Sequence, residues 1–174
     1  MKLFLDTTQR IFVATILNEN DQPIFSKFVD TKYKVEEIID FFNNVPNFDS
    51  IKQIYINLGP GSFTGSRIGL LYVRTIAQLN SEIEVFTTNT FNILKIQNPK
   101  KIIKKFFVFA TKNKSYYLTK NKMILYHKKS KKELEINYDL LLKNFSKNEK
   151  IFSKSNIASL MPIYISQPHI GEQK

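Results

Sequence analysis

The segment that most constrains the fold runs from a short apolar stretch, residues 51–58, into a loop dense in glycine and proline, residues 59–65. A nearly all-apolar stretch of this length predicts a buried central strand. Three glycines and a proline specify a sharp turn, and apolar residues then recur at helical spacing from about residue 64 to residue 80. A strand, a tight loop and a helix in succession are typical of α/β folds.

The same kind of pattern places the remaining elements. In residues 1–99 we predict further strands at 2–7, 11–17, 24–29 and 82–88, and helices at 31–45 and 90–96 that Thr31 and Thr90 cap. After Pro99 we predict strands at 102–111, 116–126 and 151–152 and a short helix at 138–145. We place a boundary near residue 99, which separates a first domain, 1–99, from a small basic second subdomain, 100–174.

The composition excludes several kinds of site. The chain contains no cysteine, so disulfides, thiolate metal sites and thiol nucleophiles are excluded. With only His127 and His169 available, a histidine-rich metal site is excluded as well. No apolar run approaches the roughly 18 residues that a membrane helix needs, and the N-terminus lacks the features of a signal peptide. We therefore expect a cytoplasmic protein without a membrane partner.

The net charge of +11 is concentrated in one stretch. Residues 100–132 hold twelve lysines and no acidic residue, whereas the segments on either side are close to neutral. Such a block favours a polyanion such as RNA. Lysine-rich faces also arise without any ligand, and lysine lacks the planar fork with which arginine recognises bases. A contact with RNA through 100–132 and incidental surface charge are therefore both open.

The glycine loop supports two interpretations on physical grounds. Ser62 or Thr64 can cap the helix that follows, whose N-terminal amides would then face any bound anion. The loop lacks the Gly-Lys-Ser/Thr ending of a P-loop, and it misses the dinucleotide-binding fingerprint by one residue. The alternative is a rigid turn that only orients the helix.

The loop is also the centre of a resemblance. The run Gly59-Pro60-Gly61-Ser62-Phe63-Thr64-Gly65-x-Arg67-Ile68-Gly69 resembles the signature of the bacterial TsaB (YeaZ) family. Asp6-Thr7-Thr8 after the first strand is similar to that family's N-terminal motif, and Met161-Pro162-Ile163-Tyr164-Ile165 is similar to its closing motif. The resemblance is strong over residues 1–98 and weak from 100 to 160.

The resemblance implies an actin–hexokinase-like (ribonuclease H-like) α/β fold with a mixed five-stranded sheet and a shortened α+β second part. It also implies a role in adding a threonylcarbamoyl group to the adenosine beside the anticodon of ANN-decoding tRNAs. In that pathway TsaB is a non-catalytic scaffold for the transferase TsaD, and TsaE joins a larger complex. A homodimer of the chain alone is left open, as is a weak contact of tRNA with residues 100–132. The residues agree with a non-catalytic role, because no histidine pair and no carboxylate cluster suggests an acid–base couple.

In this family the helices at 31–45 and 64–80 meet a partner as a four-helix bundle. The second helix is apolar nearly all round, so one face is left over after the sheet is covered. The alternative is that both helices simply cover the sheet. The partner interface predicted here consists of Val35, Ile38, Phe41, Phe42, Arg67, Leu70, Leu71, Val73, Arg74 and Gln78.

The N-terminal motif leaves one enzymatic alternative. Asp6 could hold a nucleotide-bound metal through water, or its side chain could satisfy amides in an ordinary turn. A small ATP-binding phosphotransferase would use such a site, but related ATPases have a glycine where Thr7 and Thr8 stand. We predict no cofactor, and at most a vestigial nucleotide site formed by Asp6, Thr7, Thr8, Gly59, Gly61 and Ser62. The other alternative function is an RNA-binding module built on 100–132.

Overall fold

The computed structural model describes residues 1–99, 105–111, 114–119, 123–126, 130 and 133–163. Residues 1–99 form five strands and three α-helices: β1 (Lys2–Asp6), β2 (Ile11–Leu17), β3 (Pro23–Asp30), α1 (Lys34–Asn44), β4 (Gln53–Asn57), α2 (Phe63–Leu79), β5 (Glu84–Thr88) and α3 (Thr90–Gln97). The described residues beyond them add β6 (Lys105–Thr111), β7 (Lys114–Thr119), β8 (Met123–Tyr126), α4 (Tyr138–Lys143), α5 (Phe145–Asn148) and β9 (Ser153–Lys154).

Within the described residues, the main sheet has six strands in the order β3-β2-β1-β4-β5-β9. The meander β1–β2–β3 is antiparallel, β4 and β5 run parallel to β1, and β9 pairs antiparallel with β5. The predicted α/β class is confirmed, but the predicted five-stranded sheet is wrong by one strand. The sixth strand, β9, has only two residues, and both pair with β5. It begins two residues later than the strand predicted at 151–152.

The central strands are buried on both faces of the sheet. On β1, Leu3 and Leu5 belong to one hydrophobic cluster and Phe4 to the other, as the period-two geometry of a strand requires. α1 and α2 cover the face of Leu3 and Leu5, and Ile38 and Val73 pack there. Ile93 and Leu94 of α3 and the described residues after 99 cover the opposite face.

The cover of that opposite face joins the two parts of the chain. Tyr55 on β4 stacks on Phe86, with ring centroids 4.9 Å apart, and meets the edge of Phe145 at the same distance. The Tyr55 hydroxyl donates a hydrogen bond to the carboxylate of Glu149, which also pairs with Lys2 at 3.0 Å. Residues after 99 therefore share a core with the first domain, and the boundary near residue 99 stays a prediction.

Two of the predicted helix caps are wrong. The hydroxyl of Thr31 accepts from the Tyr33 amide at 2.9 Å, which forms a local turn before α1 instead of capping it. α3 is capped by Asn89, whose side chain accepts from the Asn92 amide, so Thr90 is the first helical residue. The predicted cap of α2 by Ser62 is confirmed, since its side chain accepts from the Gly65 amide at 3.2 Å.

Candidate functional site

The glycine loop lies directly on the turn between β1 and β2. Gly59 has φ of +102°, a conformation that favours glycine. The Ser62 amide donates to the Thr8 carbonyl at 2.6 Å. A Cβ atom at Gly61 would lie 2.1 Å from the Thr8 carbonyl oxygen, and one at Gly65 would lie 2.0 Å from that of Thr7. The loop and the turn therefore approach so closely that only glycine fits at both positions.

Asp6 is fully buried at the end of β1, and its carboxylate accepts four hydrogen bonds. Oδ1 accepts from the amide and hydroxyl of Thr8 at 2.8 and 2.7 Å. Oδ2 accepts from the Asn57 side-chain amide and the Tyr138 hydroxyl, each at 2.8 Å. Burial raises the pKa of Asp6, and the hydrogen bonds from Asn57, Thr8 and Tyr138 oppose that rise. Of the two alternatives given for Asp6, this is the turn arrangement, extended by two residues from elsewhere in the chain.

The hydrogen bonds continue from the turn into the loop and into α3. The Thr7 hydroxyl donates to the Gly65 carbonyl at 2.6 Å. The side-chain amide of Gln9 donates to the Thr8 hydroxyl at 2.9 Å and to the Pro60 carbonyl at 3.1 Å. The structure thus brings the six predicted nucleotide-site residues together, but their polar groups bond to one another and to neighbours. That they form at most a vestigial nucleotide site stays a prediction.

A small cavity separates this turn from the second part of the chain. It measures about 50 Å³ and is lined by Gln9, Arg10, Ile11, Glu133, Leu134, Glu135, Ile136 and Tyr138. Sites that bind small molecules usually measure about 300–1,000 Å³. The volume suits a water molecule or two, and the two glutamates disfavour a phosphate, so this cavity lends no support to the ATP-binding alternative.

The two long helices each expose apolar side chains, and a ring contact joins the helices. On α1, Val35 and Ile39 are 46% and 50% exposed, and on α2, Leu71 and Leu79 are 67% and 83% exposed. Between the helices the rings of Phe42 and Tyr72 stack, with centroids 4.6 Å apart. We call the four exposed residues together with this ring pair the helix-pair surface.

Known proteins resemble this chain in sequence over part of its length. No model of a known protein family matches it. The uncharacterized protein MG208 homolog of Mycoplasma pneumoniae is 28% identical over 107 residues, which cover 56% of this chain and 52% of that protein. The uncharacterized protein MG208 of Mycoplasma genitalium is 28% identical over 105 residues, with the same coverage. The chain therefore spans about half the length of the curated relatives it matches.

Solved structures match it over nearly the whole chain. YeaZ from Pseudomonas aeruginosa has a TM-score of 0.65 and 13% identity, over 94% of this chain and 99% of that one. The chain has the YeaZ fold. A crystal structure of an uncharacterized protein with similarity to the peptidase YeaZ from Pseudomonas aeruginosa gives a TM-score of 0.67 and 13% identity, over 95% of this chain and 99% of that one. At such identity the match establishes the fold and leaves the function open.

Within this YeaZ fold, four residues of the predicted interface lie in the core and not on the surface. Ile38, Phe41, Leu70 and Val73 are at most 2% exposed, because they are the side chains with which α1 and α2 cover the sheet. These four assignments to the partner surface are corrected. Val35, Phe42, Arg67, Leu71, Arg74 and Gln78 keep full or partial exposure.

Arginine side chains on α2 differ in how firmly they are held. Arg67 is exposed and its guanidinium lies 5.2 Å from the centre of the Phe63 ring. Arg74 donates to the carbonyl of Ile157 at 3.3 Å and to that of Leu160, so it fastens the segment after β9 onto α2. Arg74 therefore has an internal structural role.

Sequence reasoning missed several residues that the structure brings to the site. Gln9, Asn57, Thr90 and Tyr138 complete the polar network around Asp6. Asn57 carried a usable signal, since it is the polar residue that ends the strand leading into the loop. Ile39 was missed on the helix-pair surface, although its spacing of four from Val35 placed both on one face.

Two further predictions fall mainly on residues outside the described set. Ten of the twelve lysines in the basic stretch 100–132 lie there, so the tRNA contact stays a prediction. The same holds for Tyr164 and Ile165 of the closing motif. Within the ranges that the structure describes, no helix is both long and apolar enough to cross a membrane.

Proposed function

We propose that this chain is a non-catalytic scaffold of the TsaB type, which works in the cytoplasm. It binds and supports the TsaD transferase that adds threonylcarbamoyl to the adenosine beside the anticodon of ANN-decoding tRNAs, and TsaE joins the larger complex. The observation that carries the proposal is the helix-pair surface on a chain with the YeaZ fold.

The helix-pair surface has the character of a docking site for helices. Single exposed apolar residues are ordinary on any protein, but contiguous ones indicate contact with another molecule. Here Val35 and Ile39 are four residues apart on α1, and Leu71 lies on the neighbouring helix. Because the Phe42–Tyr72 stack joins α1 to α2, the two helices present one firm surface on which a partner's helices can pack.

A groove beside α2 extends the apolar surface. It measures about 420 Å³ and is lined by Phe63, Arg67, Leu70, Leu71, Arg74, Leu160, Met161 and Pro162. Met161 is 73% exposed at its edge. Leu71 belongs both to this groove and to the helix-pair surface, so it is the residue through which a partner is best tested.

The polar groups around Asp6 favour a scaffold over an enzyme. Every oxygen of the Asp6 carboxylate is occupied by donors within the chain. A general base or a metal ligand needs a lone pair that faces a substrate or an ion. A carboxylate that is hydrogen-bonded in this way can instead hold the glycine loop and the start of α2 in place.

The test is co-purification with TsaD from the same organism, using Leu71→Glu and Ile39→Glu. A glutamate at the centre of an apolar interface must lose its hydration without gaining a partner. We expect each variant to weaken the complex by at least about 30-fold, which is the effect of a central interface residue. Leu140→Glu is the matched control, because Leu140 is an exposed leucine, 47% exposed, on α4 and outside the helix-pair surface.

All three variants should unfold at the temperature of the unsubstituted chain, since each side chain is already exposed. A TsaD complex that survives both Leu71→Glu and Ile39→Glu would refute the assigned interface. Light scattering on the chain alone adds a second readout. A homodimer that Leu71→Glu dissociates, without any complex with TsaD, would favour self-association as the use of this surface.

A further inference from the structure

A second, cationic cavity lies on the other side of the glycine loop. It measures about 430 Å³, within the range of small-molecule sites. Its walls come from the β1–β2 turn, the segment between β3 and α1, and the start of α2. They consist of Gln9, Arg10, Asp30, Thr31, Lys32, Lys34, Ser62, Thr64 and Gly65. This volume is distinct from the 50 Å³ cavity beside Tyr138, and no part of the proposed scaffold role uses it.

Lys34 is the unusual member of this cavity. It is only 5% exposed, although lysine is among the residues that proteins almost never bury without a partner. Its ammonium has three N–H donors, and its hydrogen bond in the structure goes to the Arg10 carbonyl at 2.7 Å. Within the described ranges, no carboxylate forms an ion pair with it. The charge thus has spare donors on the wall of a cavity.

The carboxylates nearest to Lys34 are engaged by other groups. Asp6 is saturated by the four hydrogen bonds described above, and Glu37 pairs with Lys27 at 2.6 Å. Asp30 lies 3.4 Å from the Arg10 guanidinium. Burial lowers the pKa of Lys34 to about 8, and these three carboxylates offset the effect only in part. A buried cation in this position is stabilised by an anion that enters the cavity.

The rest of the wall favours the same kind of ligand. Arg10 and Lys32 add two cations at the cavity's outer edge, against the single negative charge of Asp30. The N-terminus of α2 meets the cavity at Thr64 and Gly65, and this helix is 17 residues long. The start of a helix carries a partial positive charge and favours anions. Arginine and lysine both hydrogen-bond phosphate oxygens, arginine in a bidentate manner.

We propose that this cavity binds the phosphate group of a small phosphorylated molecule, held by Arg10, Lys32 and Lys34 at the start of α2. The cavity has room for a phosphate and for part of an attached group. Free phosphate and a phosphoester both present the same group to the cavity, a tetrahedral dianion. The site is independent of the helix-pair surface, so its test does not depend on the proposed scaffold role.

Isothermal titration of the full chain tests the proposal, with inorganic phosphate, AMP and adenosine as probes at constant ionic strength. We expect saturable binding of phosphate and AMP with one site per chain, and none of adenosine. Arg10→Gln and Lys32→Gln should each weaken binding by about tenfold, the effect of losing one charged hydrogen bond. Neither side chain is part of the core, so these variants should fold even if Lys34→Met does not.

Lys52→Gln is the matched control, since Lys52 is an exposed lysine that pairs with Glu82 outside the cavity. It should leave the affinity unchanged. Equal binding of phosphate and AMP would identify the anion itself as the ligand, and tighter AMP binding would identify a phosphoester. The proposal is overturned if neither probe saturates, if adenosine binds as tightly as AMP, or if Lys52→Gln weakens binding as much as Arg10→Gln.

Discussion

Glycine at position 69 of α2 offers a sharp test of how the helix meets the β1–β2 turn. Replacing a glycine inside a helix by alanine normally stabilises the protein by about 1 kcal/mol. Here a Cβ atom at Gly69 would lie 2.3 Å from the Thr7 hydroxyl oxygen, about 1 Å inside contact distance. Overpacking of a core costs about 1–3 kcal/mol. We therefore expect Gly69→Ala to reverse its usual sign and destabilise the chain by up to about 2 kcal/mol.

A second variant, Thr7→Ala, separates the steric clash at Thr7 from the higher helix propensity of alanine at position 69. It removes the hydroxyl oxygen and the methyl group that the new Cβ would meet, and leaves the Thr7 Cβ at 3.3 Å, a tight contact that a small shift relieves. Alone it should cost about 1 kcal/mol, since the hydroxyl donates to the Gly65 carbonyl. In the Thr7→Ala background, Gly69→Ala should be neutral or stabilising by about 1 kcal/mol.

Gly65→Ala supplies the control for this double-mutant cycle. Its Cβ would lie 2.0 Å from the backbone oxygen of Thr7, which no side-chain substitution at that position removes. Its cost should therefore be the same in the Thr7→Ala background as in the unsubstituted chain. The assay is urea unfolding followed by far-ultraviolet circular dichroism. If Gly69→Ala stabilises the unsubstituted chain, or if Thr7→Ala rescues both glycine variants equally, the close packing of α2 on the turn is not as described.

Two further predictions concern buried ionisable groups. Tyr138→Phe removes one donor to the Asp6 carboxylate and should lower the free energy of unfolding by about 1.5–3 kcal/mol. Its control is Tyr33→Phe, at a tyrosine that is 56% exposed, which should change the free energy of unfolding by less than about 0.5 kcal/mol. Equal effects of the two variants in urea unfolding would contradict the role of the Tyr138 hydroxyl. Burial lowers the pKa of Lys34 to about 8, so the Lys34 ammonium loses its proton more readily in the folded chain than in the unfolded one. The free energy of unfolding should therefore rise as the pH increases from about 8 towards 10.5. Urea unfolding near pH 7 and pH 10 should therefore show a larger gain in stability for the unsubstituted chain than for Lys34→Met, and an identical gain would contradict the lowered pKa of Lys34.

The element order of residues 1–99 was predictable because each signal there is local. The alternation on β3, the turn residues around Asp21 and the proline at position 46 all act within a few residues. The sixth strand gave no such signal, because a two-residue strand is too short to show a period and is fixed by its pairing with β5. The same limit applies to the helix caps, where Asn89 and Thr90 are both suitable residues and only the backbone geometry selects one.

The faces of α2 and the partners of Asp6 were beyond prediction for different reasons. A helix that is apolar nearly all round has no clear apolar stripe, so Val73 and Leu71 looked equivalent although one is fully buried and the other is 67% exposed. Tyr138 is 132 residues away from Asp6 along the chain. Nothing in the local sequence of either residue indicates that contact, since it depends on how the second part of the chain packs on the sheet.

The glycine loop has two faces, and they account for both of the interpretations that its sequence allowed. Its inner face is closed, because the backbones of Gly61 and Gly65 touch the carbonyls of Thr8 and Thr7 and leave no space for a phosphate between loop and turn. Its outer face, at the start of α2, borders the cavity that contains Lys34. A rigid turn and an anion site are therefore compatible. The inner contacts fix the start of α2. A ligand in the outer cavity, or a partner on Leu71, would therefore bind to a helix that is already held in place.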